Sequence, residues 1–491
     1  MAELNLHAKL SVCAVRYRSN GAELHFLLGV PQMKTTRASR REFLKIAAIT
    51  GATVSHGGAV VGARSGAPSV RRSRNQIAPN DRIQIALIGA GGQGQGDTQA
   101  ALRTPGVELV AAADVYDGRL IHVKERFGSH IETTRDYREI LARDDVDAVI
   151  IGTPDHWHRE ISIEAMEAGK DVYVEKPMVQ KVEEGESLVA AQTRTGQILQ
   201  VGSQRVSSVL YEHAKQIYES GRLGELNMIE AWWDRNSAIG AWQYTIPPDA
   251  SPETVDWMQF LGSAPQRPFD AKRMFRWRNY QDYGTGVAGD LFVHLFSGLH
   301  FIVSAIGPRR IYATGGLRYW KDGRDVPDVM LGLYDYPATQ SHPEFTLALR
   351  VNFADGAAGG EGFRFVGSDA VMSVGGTVGV TRRARQASPG YSINTFPDAM
   401  QDEFLTDYRR QNPNAARELT PRAEEVFRAP NGYSDTVDHF RNFFASVRSR
   451  QPVIEDAVFG FRAAGPALLS NVSYFNKKTV HWDPENMRVT G

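Results

Sequence analysis

Arg82-Ile83-Gln84-Ile85-Ala86-Leu87-Ile88 runs straight into Gly89-Ala90-Gly91-Gly92-Gln93-Gly94. A helix-like stretch continues to about Arg103, and a second apolar strand follows at 107–113. A G-x-G-x-x-G string between a strand and a helix is the context in which it signals dinucleotide binding. Gly89 permits the tight turn, Gly91 lets the backbone approach a pyrophosphate, and Gly94 lets helix and strand pack closely. The helix start at Gly92 and Gln93 offers free N–H groups to phosphate. Asp114 lies twenty residues past Gly94, where a carboxylate accepts hydrogen bonds from the adenosine ribose and repels a 2′-phosphate. NAD is therefore favoured over NADP, a preference that Arg119, close in sequence, weakens.

Outward from this unit the alternation continues. Apolar strands are predicted at 146–151, 171–174 and 198–201, with helices at about 156–168 and 182–195. The pattern is a doubly wound α/β domain over residues 81–205. Ligands of such sheets gather at the C-terminal ends of the strands. Thr153, Pro154, Asp155, His158, Glu175, Lys176, Gln204 and Arg205 all follow strand ends and are the candidate site residues.

The chain has 491 residues, room for two or three domains, and is 42% hydrophobic and 23% charged, a globular composition. Lys+Arg and Asp+Glu both number 56, so there is no basic excess to bind nucleic acid non-specifically. The single cysteine, Cys13, excludes an intrachain disulfide. Chemistry falls to Lys, His, Asp, Glu, Tyr or a cofactor. Residues 1–80 read as an N-terminal extension. Ser39-Arg40-Arg41-Glu42-Phe43-Leu44-Lys45 precedes a weakly apolar run at 46–63 and a polar linker at 64–80, and Met33 is a candidate alternative start. This layout resembles a twin-arginine signal, implying the twin-arginine export machinery and a periplasmic destination. The run is too polar for a membrane anchor, and no other stretch predicts a membrane span.

Three signatures in order, Gly89 to Gly94, Thr153-Pro154-Asp155-His156-Trp157-His158 and Glu175-Lys176-Pro177, resemble the Gfo/Idh/MocA family of oxidoreductases over roughly residues 81–476. The resemblance implies an N-terminal Rossmann NAD(P)-binding domain followed by an α/β domain with a large, mainly antiparallel open sheet. That second domain would span residues 206–476, with a C-terminal tail at 477–491. The resemblance also implies a sugar, cyclitol or related polyol substrate, and a homodimer or homotetramer formed through the outer face of the sheet. Lys176 becomes the catalytic lysine, its ammonium on the reacting oxygen, with Pro177 at a position that adopts a cis peptide. Glu175 and His158 fall on the nicotinamide side. Gly89, Gly91, Gly92, Gln93, Gly94, Asp114, Thr153, Pro154, Lys176 and Gln204 complete the cofactor set.

Asp290-Leu291-Phe292-Val293-His294 fits the family's Asp-x-x-x-His, with both side chains on one helix face. His294 is the implied general acid/base and Asp290 holds its tautomer or touches a sugar hydroxyl. Phe292 stands where relatives often have glycine, and Ser297 where they often have a second aspartate. His300, further along the helix, is a rival to His294. Asp290, His294 and His300 could imitate a metal cluster, but no outside ligand matches, so no metal is expected.

The large sheet is predicted to begin at 226–233. Residues 232–284 are rich in aromatics and arginine, and Arg276, Trp277 and Arg278 form the best sugar-binding patch, against packing across a subunit interface as the plainer reading. Strands follow at 310–316, 331–336, 345–351 and 362–367, with a hairpin over 369–380. A polar excursion at 383–428 precedes helices at 436–447 and up to 474.

The sum is an NAD(P)-dependent oxidoreductase moving a hydride to or from a sugar or polyol. Free NAD is scarce outside the cytoplasm, so an exported enzyme would hold its cofactor tightly. Two alternatives stay open. One is a glycoside hydrolase or lyase working by transient oxidation, elimination and re-reduction; the other is a non-catalytic sugar-binding relative.

Overall fold

In the computed structural model, residues 82–382, 390–413 and 425–490 are described. The whole 1–80 extension, with its twin-arginine motif, lies outside the described residues.

Six short strands build the first sheet: β1 (Ile83–Ile88), β2 (Val107–Ala113), β3 (Glu132–Thr134), β4 (Ala148–Ile151), β5 (Asp171–Val174) and β6 (Leu199–Val201). Their order is β3-β2-β1-β4-β5-β6, all pairs parallel. Sequence periodicity finds five of the six within two residues; it misses β3, a three-residue edge strand with no buried position. Strands β4 and β5 are buried at every position, which is why they read as apolar runs rather than alternating ones. The strand order reverses between β1 and β4, placing the ligand crevice at their C-terminal ends.

The second sheet has ten strands, mostly antiparallel: β7 (Leu226–Asp234), β8 (Arg310–Gly316), β9 (Val329–Tyr336), β10 (Phe345–Asn352), β11 (Gly360–Gly367), β12 (Val371–Val374), β13 (Val378–Thr381), β14 (Glu425–Phe427), β15 (Val480–Asp483) and β16 (Arg488–Val489). Its order is β14-β13-β12-β11-β7-β10-β9-β8-β15-β16, with β7 and β10 parallel. In β10, Phe345, Leu347, Leu349 and Val351 are buried while Thr346 and Arg350 are exposed, the period-two signature of a sheet covered on one face. The helices Val293–Val303 and Ala457–Asn476 cover the inner face. Among the described residues no helix is long and apolar enough to cross a membrane.

The first sheet is completed from far away in the chain. The helix Asp435–Ser449 sends Phe440, Phe443 and Phe444 into the core formed by Ile85, Leu87 and Ile150. Tyr173 of β5 stacks on Phe440 with ring centroids 4.2 Å apart. The aromatic stretch after β7 makes a small core of its own, in which Trp257, Phe260 and Phe275 pack with Tyr116. An isolated bridge between Tyr116 and Val255 ties this lobe to the end of β2.

Candidate active site

A cavity of ≈ 430 Å³ opens at the C-terminal ends of β1, β2 and β4, walled by Gly89, Gly91, Gly92, Gln93, Asp114, Thr153 and Pro154. Gly89 has φ +90°, and a Cβ there would lie 2.6 Å from Thr153 N. A Cβ on Gly94 would lie 2.2 Å from the carbonyl oxygen of Gly89. Backbone meets backbone at both positions, so only glycine fits. Gly92 faces open space, and the helix Gly92–Ala101 has no side-chain cap. Its first N–H groups are therefore left for an anion.

Asp114 accepts from Ala90 N at 2.8 Å and Tyr116 N at 3.0 Å, and pairs with Arg119 at 3.3 Å. A carboxylate has about four acceptor sites, so one remains for a ribose hydroxyl. The Thr153 hydroxyl on the same wall is buried without a partner. Glycine cradle, open helix start, free hydroxyl and strand-end carboxylate together fit a dinucleotide. The opposite wall comes from the aromatic lobe, through Phe260, Phe275, Trp277 and Arg278.

Arg278 leads from that cavity into a buried ionic cluster. Lys176 Nζ donates to Asp290 Oδ1 at 2.7 Å and to the Asp290 carbonyl oxygen at 3.1 Å. Arg278 Nε donates to the same carboxylate oxygen at 3.3 Å and stacks over Trp277. Burial opposes the charge on Asp290, but Lys176 and Arg278 outweigh it and hold its carboxyl well below the usual range. His294 is buried; that burial, with the charges of Lys176 and Arg205, pushes its imidazole well below the usual value and keeps it neutral. Its ring lies 5.1 Å from that of Trp233, and its Nδ1 has no partner. The Lys176–Pro177 peptide is cis.

Residues 83–203 match a family described as "Oxidoreductase family, NAD-binding Rossmann fold" (GFO_IDH_MocA). Over residues 83–203 the chain has the NAD-binding Rossmann fold of the Gfo/Idh/MocA oxidoreductases. Among curated proteins it is similar to a glycosyl hydrolase family 109 protein of Shewanella putrefaciens, 37% identical over 170 residues; the match covers 32% of this chain and 37% of that protein. Among solved structures, levoglucosan dehydrogenase in complex with NADH and L-sorbose superposes with a TM-score of 0.58 at 17% identity, over 82% of this chain and 98% of that one. An NAD-binding oxidoreductase from Klebsiella pneumoniae gives 0.58 at 19% identity, over 82% and 99%. These likenesses establish the fold and the NAD-binding character of the Rossmann half.

Within this fold the structure brings together Lys176, Asp290 and His294, and it places several residues differently from expectation. Asp290 spends its carboxylate on Lys176 and Arg278 and makes no hydrogen bond to His294, so it does not hold the histidine tautomer. His300 turns the other way, with Nε2 2.9 Å from the Tyr336 hydroxyl on the sheet, and burial pushes it down to about 3. It is no rival to His294. His158 does not line the cavity. Its Nδ1 is 2.7 Å from the Pro177 carbonyl oxygen and its Nε2 2.9 Å from that of Thr153, so it sits between two strand-end turns, its neutral ring donating to one of them. Gln204, which opens the 3₁₀ turn Gln204–Ser207, is absent from the cavity wall, as are Glu175, Lys176, Asp290 and His294, which lie beyond Arg278. Arg276 is used on Gln243 and the Tyr244 carbonyl, leaving Trp277 and Arg278 of the predicted patch at the cavity. Asp290 sits in a π-helical turn, Ala288–Phe292, ahead of Val293–Val303, a distortion frequent at functional sites.

Sequence reading named Glu175 and Asp155 but missed Asp97 and Glu455, which join them as buried acids behind the lysine. Burial raises Glu175 to about 6, against the pull of Lys176, and raises Asp97 well above the usual range, helped by the charge of Glu175. Asp97 in turn accepts from Gln93 of the cavity wall at 2.9 Å. Glu455 accepts from Ser297 at 2.8 Å and is also raised well above the usual range by burial. Thus Ser297 meets a carboxyl supplied by a distant loop. Asp155 accepts twice from Thr285, at 3.0 and 2.7 Å, and burial pushes it up to about 7. Its place at the end of β4, inside the Thr153–His158 signature, was its signal in the sequence.

Proposed function

We propose that the protein is an NAD(P)-dependent oxidoreductase moving a hydride to or from a sugar, cyclitol or related polyol. The observation that carries this is Lys176, fixed on Asp290 at 2.7 Å and linked through Arg278 to the wall of the nucleotide cavity. Gly89, Gly91, Gly92, Gln93, Asp114 and Thr153 would hold the dinucleotide, with NAD favoured over NADP. Bound there, NAD supplies the two-electron oxidant or reductant. Lys176 has three N–H donors; Asp290 takes two, and the third donates to the reacting oxygen and favours the developing alkoxide. His294, kept neutral by burial, is the acceptor of the hydroxyl proton. Asp290 fixes the lysine and Arg278 completes the wall between cofactor and sugar.

A second reading is redox-neutral cleavage, in which transient oxidation is followed by elimination at the adjacent carbon and re-reduction. The names of the curated relatives support it better than net oxidation, although the chain spans only 37% of their length. Both readings begin with the same hydride removal. The reading also includes a homo-oligomer formed through the outer sheet face, supported by Tyr312, Leu331 and Leu333, each 44–54% exposed there, and twin-arginine export, supported by Ser39 to Lys45.

The test begins with acid denaturation of the purified protein and mass spectrometry of what it releases, followed by titration with NAD(H) and NADP(H). Stoichiometric nucleotide, or saturable uptake, supports the reading; a protein that neither carries nor binds either one overturns it. Incubating the loaded protein with free sugars and with nitrophenyl glycosides then separates the two outcomes. Reduced cofactor accumulating one-for-one with product marks net oxidation, and released nitrophenol without net reduction marks cleavage.

A further inference from the structure

Beside the ionic cluster, toward the second sheet, one cation is left without a counter-charge. The Trp233 indole at the end of β7 is the centre of the arrangement. Around it lie the His294 ring at 5.1 Å, the Arg205 guanidinium at 5.3 Å and the Arg235 guanidinium at 5.9 Å. Arg205 is neutralised by Glu361 and by Asp435 at 3.3 Å. Lys176 and Arg278 share Asp290. Arg235 donates once, from Nη1 to the Gly240 carbonyl oxygen at 2.9 Å, and packs over Phe353. It is part-buried, yet among the described residues it has no carboxylate partner, unlike the other three cations.

In direct ion pairs, Lys176 and Arg278 meet Asp290, and Arg205 meets Glu361 and Asp435, while Arg235 meets none. Asp155, near Arg278, is turned onto Thr285, and Glu175 lies behind Lys176; neither makes an ion pair with Arg235. The charge of Arg235 is felt at both Asp290 and His294, so the unmatched group belongs to the same site as the catalytic pair. A guanidinium presents a planar fork of N–H donors that suits a carboxylate better than it suits a lone hydroxyl. An aromatic face alongside it suits the C–H face of a sugar ring.

We propose that the substrate is an acidic sugar, a uronic or aldonic acid type of compound, whose carboxylate pairs with Arg235 while its reacting hydroxyl meets Lys176. This deepens the oxidoreductase reading and rests on it. The carboxylate takes no part in the bond changes. It fixes which carbon faces the cofactor, and it supplies the ion-pair partner that Arg235 lacks.

The experiment uses the full chain loaded with NADH, titrated with matched acid and neutral pairs: glucuronate and glucose, galacturonate and galactose, mannuronate and mannose. Tryptophan and NADH fluorescence report sugar and cofactor in one cuvette. At least one acid should bind about tenfold or more tighter than its neutral partner, the scale of one charge-assisted pair. Arg235→Gln should abolish that preference and Arg235→Lys should keep part of it, both with NADH affinity unchanged. A site in which no acid outbinds its neutral partner overturns the proposal, as does a preference that survives in Arg235→Gln. Loss of NADH binding by the unmodified protein would instead sink the oxidoreductase reading itself, so the two failures are distinct.

Discussion

Replacing Asp290 with asparagine should destabilise the protein far more than replacing Lys176 with methionine. The carboxylate sits between two cations, 2.7 Å from Lys176 and 3.3 Å from Arg278, with the side chains of Lys176 and Asp290 only 10% and 9% exposed. Removing it leaves two cations without an ion-pair partner, and breaking a buried pair from one side costs about 3–5 kcal/mol. Removing Lys176 leaves Asp290 still paired with Arg278, so about 1–2 kcal/mol is expected, closer to the loss of one charge-assisted hydrogen bond. In the double variant the asparagine faces Arg278 alone, so the loss should fall below that of Asp290→Asn by itself. Urea unfolding of all four proteins, without nucleotide, measures the cycle. A coupling energy under about 1 kcal/mol, or Lys176→Met proving the more damaging single change, would refute the account of Asp290 as the shared counter-ion.

Three further outcomes follow from other parts of the site. Gly94→Ala places a methyl 2.2 Å from a backbone oxygen, so it should cost about 1–3 kcal/mol by overpacking and abolish NADH binding by fluorescence titration; retained affinity would refute the close-packing argument. Asp155, raised from 3.8 to about 7 by burial, favours the folded state when protonated. That stabilisation is full below pH 3.8 and is lost as pH rises through 7, a span of about 4 kcal/mol at most. Asp155→Asn should flatten this slope relative to the parent between pH 5 and pH 8 in urea midpoints, and an unchanged slope refutes it. Leu333→Arg on the exposed sheet face should lower the molecular mass seen by light scattering, and an oligomer that persists unaltered refutes pairing through that face.

The first sheet was legible because its physics is local. A strand, a glycine turn and a helix follow one another within thirty residues, and β1, β2 and β5 fall where apolar runs place them. Lys176 was legible through its motif. Asp290 was found, but its role was not, since spacing puts it near His294 while the fold hands it to Lys176 and Arg278. Asp97 and Glu455 look like any solvated acid in sequence; only the fold buries them. The π turn at Ala288–Phe292 shifts the helix register by an amount that an i, i+4 rule does not carry. Ser297 reads as a departure until Glu455 arrives from 158 residues further along the chain.

The phenylalanines of Asp435–Ser449 have a consequence for how the protein is made. They close the back of a sheet whose last strand ended at Val201, so the nucleotide half stays unfinished until residues 435–449 have left the ribosome. A nascent chain displays an apolar wall around Tyr173 for that entire interval, and a fragment cut after β6 would keep it permanently. Loading of a dinucleotide then belongs after residues 435–449 have docked, and deleting that helix would be felt in the sheet that begins at Ile83.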